Sequence, residues 1–389
     1  MSENSKDKPS QRFVLRTGAE ISVASIGILL VAGALVADQT WFDRHFLPVF
    51  FLSRDTYVLG ERLARLVVGI FGAAIVVLVR PMIGRLVERV PARELIAGSA
   101  RMLLAIALAL ATSELVLRHT FPGAAAEGPI DEEPLRRPDP KFGWVFVPGR
   151  SGHERVAGRD IEYAIDAWGY RVRSSDMPVD RERPAILFAG ESIMAGLGLT
   201  WDESIPAQVG ALLNTESVNM AVFGYANDQA YLRLAADLPH FREPVAAVSL
   251  FTPSLFVRNL DDDRPHLGPG LVWRPGIRRW RLNALLNFLV PYHSGAEIER
   301  GIRATRAVLV ATADLARMYH AVPLVVVPEF GPEEPVEEML RHRILDEAGI
   351  DYVRVPLDPG WRLPGDFHPD PRAAHAIAAA IATRLQQGS

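Results

Sequence analysis

The feature that most restricts how this chain can fold is a charge-free apolar stretch from residue 21 to residue 37. It approaches the roughly 17 to 25 apolar residues with which an α-helix crosses a bilayer. Two more apolar segments follow, 66–79 and 102–113, and Arg65, Arg80 and Arg101 flank them. Long arginine side chains at such ends can extend to the membrane surface. The pattern predicts that residues 1–121 form a membrane anchor with about three transmembrane helices.

Two other interpretations of these segments remain open. Runs of roughly 10 to 14 apolar residues also occur in core helices of soluble domains, so 66–79 and 102–117 could be buried helices. The small residues at 34–37 (ALVA) also resemble the end of a cleaved signal peptide. A cleaved signal would leave the two later segments unexplained.

Basic residues are distributed unevenly around the three segments, which predicts their orientation. They are concentrated before the first segment and between the second and third, at Lys6, Lys8, Arg12, Arg16, Arg80, Arg85, Arg89, Arg93 and Arg101. Basic loops stay in the cytoplasm. We therefore expect a multi-pass protein of the cell inner membrane, with a cytoplasmic N-terminus and a periplasmic or other extracytoplasmic C-terminal domain.

Composition excludes several classes of function. The chain has no cysteine, which rules out disulfides, thiolate metal sites and cysteine nucleophiles. Lys and Arg number 42 against 46 Asp and Glu, so no basic excess indicates a nucleic-acid partner. Residues 122–139 are rich in Pro, Gly, Ala and acidic residues and are predicted to be a linker.

From residue 184 onward, short apolar runs alternate with helical patterns. The predicted strands are 185–189, 217–222, 245–251, 322–327 and 352–355, and the predicted helices are 204–213, 229–238, 296–319, 334–348 and 371–385. This alternation predicts a parallel five-stranded sheet with helices on both faces, a three-layer α/β/α flavodoxin-like domain over 184–389. Residues 140–183 contain the β-like segments 144–147 and 161–165, which we interpret as a small β extension ahead of that sheet.

Ser192 follows the first predicted strand directly, in the segment Phe188-Ala-Gly-Glu-Ser192. A serine at a strand-to-helix turn is exposed at the carboxyl edge of the sheet, where backbone N–H groups can stabilise a developing oxyanion. Gly190 would allow the tight turn. The same pattern also fits a serine that only caps a helix, and this alternative stays open.

A second group of polar residues, Asp366-Phe-His368-Pro-Asp370, lies between the last strand and the last helix. His368 could accept the serine proton as general base, and Asp366 could hold its other ring nitrogen. The alternative is a surface loop in which Asp370 caps the helix that begins at Pro371. Capping by Asp370 would leave Asp366 and His368 available for chemistry.

These segments resemble the conserved blocks of the SGNH/GDSL hydrolase family. Gly190-Glu-Ser192 resembles the first block, in which Gly-Asp-Ser is commonest, and the segment from Val218 to Tyr225 resembles the second. Asp366-Phe-His368-Pro resembles the fifth block, with a spacing of two instead of the commoner three. The resemblance covers roughly 184–389 and implies a catalytic triad of Ser192, His368 and Asp366.

The resemblance also implies an oxyanion hole made by the N–H groups of Ser192 and Gly224. The third block normally adds an asparagine side chain, but the third strand here ends without one. Asn259 is the nearest asparagine, and Thr252 or Ser254 could donate instead. Loss of one such donor typically lowers the rate by about 10²–10³. Residues within the matching segments that we expect to contact substrate are Glu191, Asn219 and Tyr225.

The leading hypothesis is a membrane-anchored serine esterase or acyltransferase acting on O-acyl groups of cell-envelope glycans or lipids, without a cofactor or a metal. Consecutive aspartates at 261–263 lack the spacing of a cation site. The other hypothesis is a catalytically weak or inactive subunit that binds a membrane protein partner, which the missing third-block asparagine and the anchor both allow.

Overall fold

The computed structural model describes residues 8–47, 53–120, 133–260, 264–276 and 280–387. The chain forms two units, one built from the N-terminal helices and one from the α/β region beyond residue 133. The side chains of residues 8–12, 92, 254 and 269 are outside the description.

Long apolar helices make up the first unit. Its elements are α1 (Lys8–Val36), α2 (Gln39–Phe46), α3 (Arg54–Ala74), a π-helical turn (Ile75–Val79), α4 (Arg80–Arg89) and α5 (Ala92–Thr120). Three stretches are long and apolar enough to cross a membrane: Phe13–Val36, Arg54–Arg89 and Arg93–Thr120. The expected number of three candidate spans is confirmed. The second stretch runs through α3, the π-helical turn and α4.

Two glycines allow α1 and α3 to pack closely. A Cβ atom added at Gly27 would lie 2.7 Å from the carbonyl oxygen of Gly72, and one added at Gly72 would lie 2.7 Å from that of Gly27. Small residues at such a crossing let two helix backbones approach, which is how apolar helices associate within a membrane.

The second unit is built on one eight-stranded sheet and two short hairpins. Its strands are β1 (Arg136–Asp139), β2 (Gly143–Phe146), β3 (Ser151–Val156), β4 (Arg159–Ile165), β5 (Arg171–Val172), β6 (Pro184–Ala189), β7 (Glu216–Asn219), β8 (Glu243–Leu250), β9 (His266–Leu267), β10 (Trp273–Arg274), β11 (Val322–Phe330) and β12 (Tyr352–Leu357). The large sheet has the order β12-β11-β8-β6-β7-β5-β4-β3, and β1 pairs with β2 and β9 with β10. Its first five strands are parallel, as expected, and β5, β4 and β3 are antiparallel.

Helices cover both faces of the parallel strands. The described helices beyond residue 133 are α6 (Ser192–Ala195), α7 (Ile205–Leu213), α8 (Asn227–Asp237), α9 (Pro253–Arg258), α10 (Arg281–Leu289), α11 (Gly295–Met318), α12 (Pro335–Ile344) and α13 (Pro371–Gln387). Alternate residues of β6 point to opposite faces. Ile186 and Phe188 pack in the cluster that contains α7 and α13, and Leu187 packs in the cluster that contains α8 and part of α11. This confirms the three-layer α/β/α arrangement.

The region predicted to be a small β extension contains β3, β4 and β5, which continue the large sheet beyond β7. The reason is that an edge strand presents unpaired N–H and C=O groups, which another strand can bind. The predicted linker 122–139 needs correction, because its last residues form β1. Its residues 122–132 lie outside the described part of the chain.

Candidate active site

The turn after β6 places Ser192 at the carboxyl edge of the sheet, as the first residue of α6. Only glycine fits at position 190, since a Cβ atom there would lie 2.8 Å from the Cβ of Met194. Ser192 is 3% exposed. Within the described residues its backbone N–H has no hydrogen-bond partner. The turn therefore offers a buried hydroxyl beside an available N–H donor.

The structure brings Ser192, His368 and Asp366 together from distant parts of the chain. Ser192 Oγ lies 2.8 Å from His368 Nε2, and His368 Nδ1 lies 2.5 Å from Asp366 Oδ1. The hydrogen bond from His368 lowers the pKa of the Asp366 carboxyl, although partial burial opposes it. An ionised Asp366 favours the tautomer with the proton on Nδ1, which leaves Nε2 to accept the hydroxyl proton.

The loop that carries the histidine is fixed by its own backbone bonds. Phe367, between Asp366 and His368, has a φ of 70°. Its carbonyl accepts a 2.8 Å hydrogen bond from Arg362 Nη1, and the N–H of Leu363 donates to the carbonyl of His368 at 2.7 Å. Asp370 accepts from the N–H of Ala373 at 3.1 Å and caps α13. Asp366 and His368 thus remain directed towards the serine.

A second backbone donor lies beside the nucleophile turn. The N–H of Val222 donates to the carbonyl of Gly190 at 3.3 Å, which joins the segment after β7 to the turn that carries Ser192. Gly224, two residues on, has a φ of 79°. In the described part of the chain its N–H makes no hydrogen bond. Ser192 and Gly224 therefore each offer a backbone donor at this edge.

Asn259 does not take the place of the absent third-block asparagine. Its side-chain Nδ2 donates to Thr305 Oγ1 at 2.9 Å and to Asn227 Oδ1 at 3.3 Å. Because these partners occupy its donors, the expected role of Asn259 in the oxyanion hole is wrong. Asn259 is close to the third strand in sequence, but that closeness does not reveal that its side chain points towards α11.

Two residues expected to contact substrate are structural instead. Asn219 and Tyr225 are both 0% exposed. Asn219 Nδ2 donates to the carbonyl of Met194 at 3.3 Å and its Oδ1 accepts from the N–H of Ala221, which connects β7 to α6. Tyr225 Oη donates to the carbonyl of Trp144 at 2.6 Å. Full burial leaves neither side chain any surface with which to bind substrate.

Glu191, the third residue expected to contact substrate, contacts the hydroxyl of Ser192. It is 0% exposed, and its Oε2 is hydrogen-bonded to Ser192 Oγ. The guanidinium of Arg258 lies 3.5 Å from the same carboxylate oxygen. The serine hydroxyl thus has two possible acceptors, Glu191 and His368. The sequence did mark this position, because Glu191 stands where the family that the sequence resembles most often has an aspartate.

Sequence reasoning missed a buried arginine below the nucleophile turn. Arg171, on β5, is 0% exposed and donates to the carbonyls of Ala195, Gly196 and Leu199 at 2.6, 2.8 and 2.6 Å. Burial lowers its pKa to about 10, so it remains charged at neutral pH. The ring of Tyr163 lies 4.4 Å from its guanidinium. These bonds fix the loop that follows Ser192.

Among the residues that the structure describes, no group of three or more His, Asp or Glu side chains is arranged to hold a metal ion. The chemistry available at the site is that of a hydroxyl, an imidazole, two carboxylates and backbone donors.

Neither a scan against protein-family models nor a search of curated proteins gives a match. Among solved structures, the chain is similar to an acetyl xylan esterase from the rumen bacterium Butyrivibrio proteoclasticus, at 12% identity and a TM-score of 0.35 over 55% of this chain and 65% of that one. It is similar to a GDSL-like lipase from Bacteroides thetaiotaomicron, at 15% identity and a TM-score of 0.33 over 53% and 89% of the two chains. It is also similar to a carbohydrate acetylesterase from Sinorhizobium meliloti, at 10% identity and a TM-score of 0.31 over 53% and 100%.

Proposed function

We propose that this protein is a membrane-anchored serine hydrolase that cleaves acyl esters, with Ser192 as nucleophile, His368 as general base and Asp366 as the residue that orients His368. The observation that carries this proposal is the continuous hydrogen-bonded chain from Ser192 Oγ through both ring nitrogens of His368 to Asp366. A serine, a base and an orienting carboxylate in this arrangement are what nucleophilic catalysis requires.

The reaction follows from these positions. Ser192 Oγ attacks the ester carbonyl while His368 Nε2 takes the hydroxyl proton, and the N–H groups of Ser192 and Gly224 stabilise the oxyanion. His368 then gives the proton to the departing alcohol, which leaves an acyl group on Ser192. Water attacking that acyl group regenerates the serine and releases a carboxylic acid. If a sugar hydroxyl attacks instead, the acyl group is transferred.

The proposal extends to where the reaction takes place. The concentration of arginine before the first candidate span and between the second and third would place those segments in the cytoplasm. Three crossings would put the catalytic unit on the extracytoplasmic side, the periplasm of a cell with two membranes. The sequence resemblance to SGNH/GDSL hydrolases favours O-acyl groups of cell-envelope glycans or lipids as substrates.

The test is labelling of the full-length protein in detergent with a fluorophosphonate probe, which reacts with activated serines. Wild type should be labelled and Ser192→Ala should not. Ser151→Ala changes an exposed serine on β3 and serves as the matched control, which should be labelled like wild type. If folded wild type is not labelled, the triad is not active, and a non-catalytic binding role becomes the better account.

A further inference from the structure

Donors from other parts of the fold bind the carbonyls on both sides of Gly224. The carbonyl of Phe223 accepts from Trp144 Nε1 at 2.9 Å and from Arg136 Nη1 at 3.3 Å. The carbonyl of Gly224 accepts from Arg264 Nη2. Both peptide planes that meet at Gly224 are therefore fixed from outside the segment.

The first of these contacts determines where the Gly224 N–H points. No cis peptide bond occurs in the described part of the chain, so the peptide between Phe223 and Gly224 is trans. In a planar trans peptide the C=O and the following N–H point in opposite directions. Because Trp144 and Arg136 hold the Phe223 carbonyl on one side, the Gly224 N–H must point to the other.

Within the segment, the N–H of Tyr225 donates to the carbonyl of Val222 at 3.2 Å, but this bond uses neither the carbonyl of Phe223 nor the N–H of Gly224. Gly224, at a φ of 79°, has no side chain to restrict rotation about its own φ. A peptide plane next to such a glycine can rotate unless hydrogen bonds hold it. Backbone donors stabilise an oxyanion effectively only when they are oriented before the charge develops. A hydrogen bond to the Phe223 carbonyl from outside the segment orients the Gly224 N–H in advance.

Trp144 is itself held rigidly. It lies on β2 and is 3% exposed. Its own carbonyl accepts the hydroxyl of Tyr225 at 2.6 Å, and its ring packs edge-on against the ring of that tyrosine at 5.9 Å. The guanidinium of Arg264 lies 5.2 Å from the centre of the Trp144 ring. The indole N–H therefore has little freedom to leave the Phe223 carbonyl.

We propose that Trp144 is a positioning residue for the oxyanion hole, and that its indole N–H aims the Gly224 N–H at the substrate carbonyl oxygen by holding the Phe223 carbonyl. Arg136 on β1 is the second, longer donor to the same oxygen. This inference rests on the proposed function, because it assigns a partner to one of the two oxyanion donors. It gives the hairpin of β1 and β2 a part in catalysis.

The test compares Trp144→Phe with Trp273→Phe in the full-length protein. Phenylalanine keeps an aromatic ring but removes the indole N–H. Trp273 Nε1 donates to the carbonyl of Lys141 at 2.8 Å, so the control removes a similar bond that does not reach Gly224. Turnover of 4-nitrophenyl acetate would be measured per active site, counted by phosphonate labelling, and thermal unfolding would be measured in parallel.

We expect Trp144→Phe to lower kcat about tenfold per labelled site with KM little changed, since removing an oxyanion donor altogether costs about 10²–10³. Trp273→Phe should match wild type. Should Trp144→Phe not fold, Trp144→Met removes the same indole N–H with a flexible apolar side chain that adapts to irregular gaps, and it should lower kcat by a similar factor.

The outcomes separate the two proposals. A wild-type kcat per labelled site in Trp144→Phe, whether or not its melting temperature falls, overturns the positioning role and leaves the proposed function standing. The same result in Trp144→Met would also overturn it. A wild type that neither hydrolyses the ester nor reacts with the phosphonate overturns the proposed function, and the positioning role with it.

Discussion

Asp366 Oδ1 lies 2.5 Å from His368 Nδ1 although only one residue separates them in the chain. That residue, Phe367, has a φ of 70°, a backbone conformation that residues other than glycine rarely adopt. The left-handed residue turns the chain so that the carboxylate can face back to the imidazole. The short spacing of this Asp-x-His pair thus depends on a backbone conformation at the residue between them.

Replacing Phe367 tests this dependence. Phe367→Gly should keep the phosphonate labelling rate within about threefold of wild type, because glycine adopts positive φ at no steric cost. Phe367→Val should lose about tenfold or more, because a β-branched residue resists this region, at a cost of about 1–3 kcal/mol. Equal rates in the two variants would mean that the left-handed conformation is not needed for the triad.

Asp366→Asn tests the role of the carboxylate. An amide cannot stabilise the imidazolium and can favour the wrong tautomer of His368, and in triads of this kind the exchange costs about 10⁴ in kcat. We expect ester hydrolysis to fall by about 10² to 10⁴ while the protein stays folded. Asp358→Asn, in a nearby exposed turn, is the control. A variant with at least a tenth of wild-type turnover would argue against the triad.

The lowered pKa of Asp366 also predicts a pH dependence of stability. Because the folded-state pKa lies below the ordinary value of about 3.9, the ionised carboxylate stabilises the folded protein. This stabilisation is fully present when the pH is above the ordinary pKa of an aspartate. It is lost as the pH falls through the lowered pKa that Asp366 has in the folded protein. The difference in melting temperature between wild type and Asp366→Asn should be constant near neutral pH and shrink below about pH 4. A difference that persists unchanged to pH 2 would contradict the assignment.

Glu191→Asp tests the competition for the serine proton. Both Glu191 Oε2 and His368 Nε2 lie within hydrogen-bond reach of Ser192 Oγ, yet the hydroxyl has one proton to donate. Aspartate is one methylene shorter and should draw the carboxylate away from the serine. If the Ser192 hydroxyl donates to each acceptor half of the time in wild type, the substitution doubles the fraction of molecules in which it donates to His368. The labelling rate should then rise about twofold. Slower labelling would mean that the carboxylate assists the nucleophile.

Arg171→Met tests the support below the nucleophile turn. It removes the donors to three buried carbonyls, and buried groups left without partners cost about 1–3 kcal/mol each. We expect the free energy of unfolding to fall by about 3 kcal/mol or more. Arg173→Met is the matched control, since Arg173 pairs with Asp202 at the surface and such pairs contribute about 0–1 kcal/mol. Similar losses in both variants would show that the bonds of Arg171 contribute little.

The parts of this fold that follow from local pattern were predictable. The continuous apolar run at 185–189 predicts a buried parallel strand, and polar residues at the ends of such strands meet at one edge, which is why Ser192 and His368 could be paired from sequence. The apolar stretches likewise predicted three candidate spans.

Contacts between distant segments were not predictable. Trp144 and Phe223 are 79 residues apart, and neither carries a pattern that indicates the other. Asn259 was the nearest asparagine in sequence, but the direction of its side chain depends on the packing of α9 against α11. The β extension was recognised as β structure, yet alternation along a strand does not show which sheet edge it will join.

Because β5 pairs with β7, the residue at which a truncated fragment without the N-terminal helices begins has consequences for its solubility. The two strands register at Arg171 and Asn219, and together with β3 and β4 they cover the edge of the parallel sheet. A fragment starting at residue 184, where the family resemblance begins, would expose the backbone of β7, and bare edges promote aggregation. It would also lose the side chain of Arg171. A fragment that begins just before β3, at Ser151, keeps β7 covered, and one that begins near Leu135 also keeps the hairpin of β1 and β2.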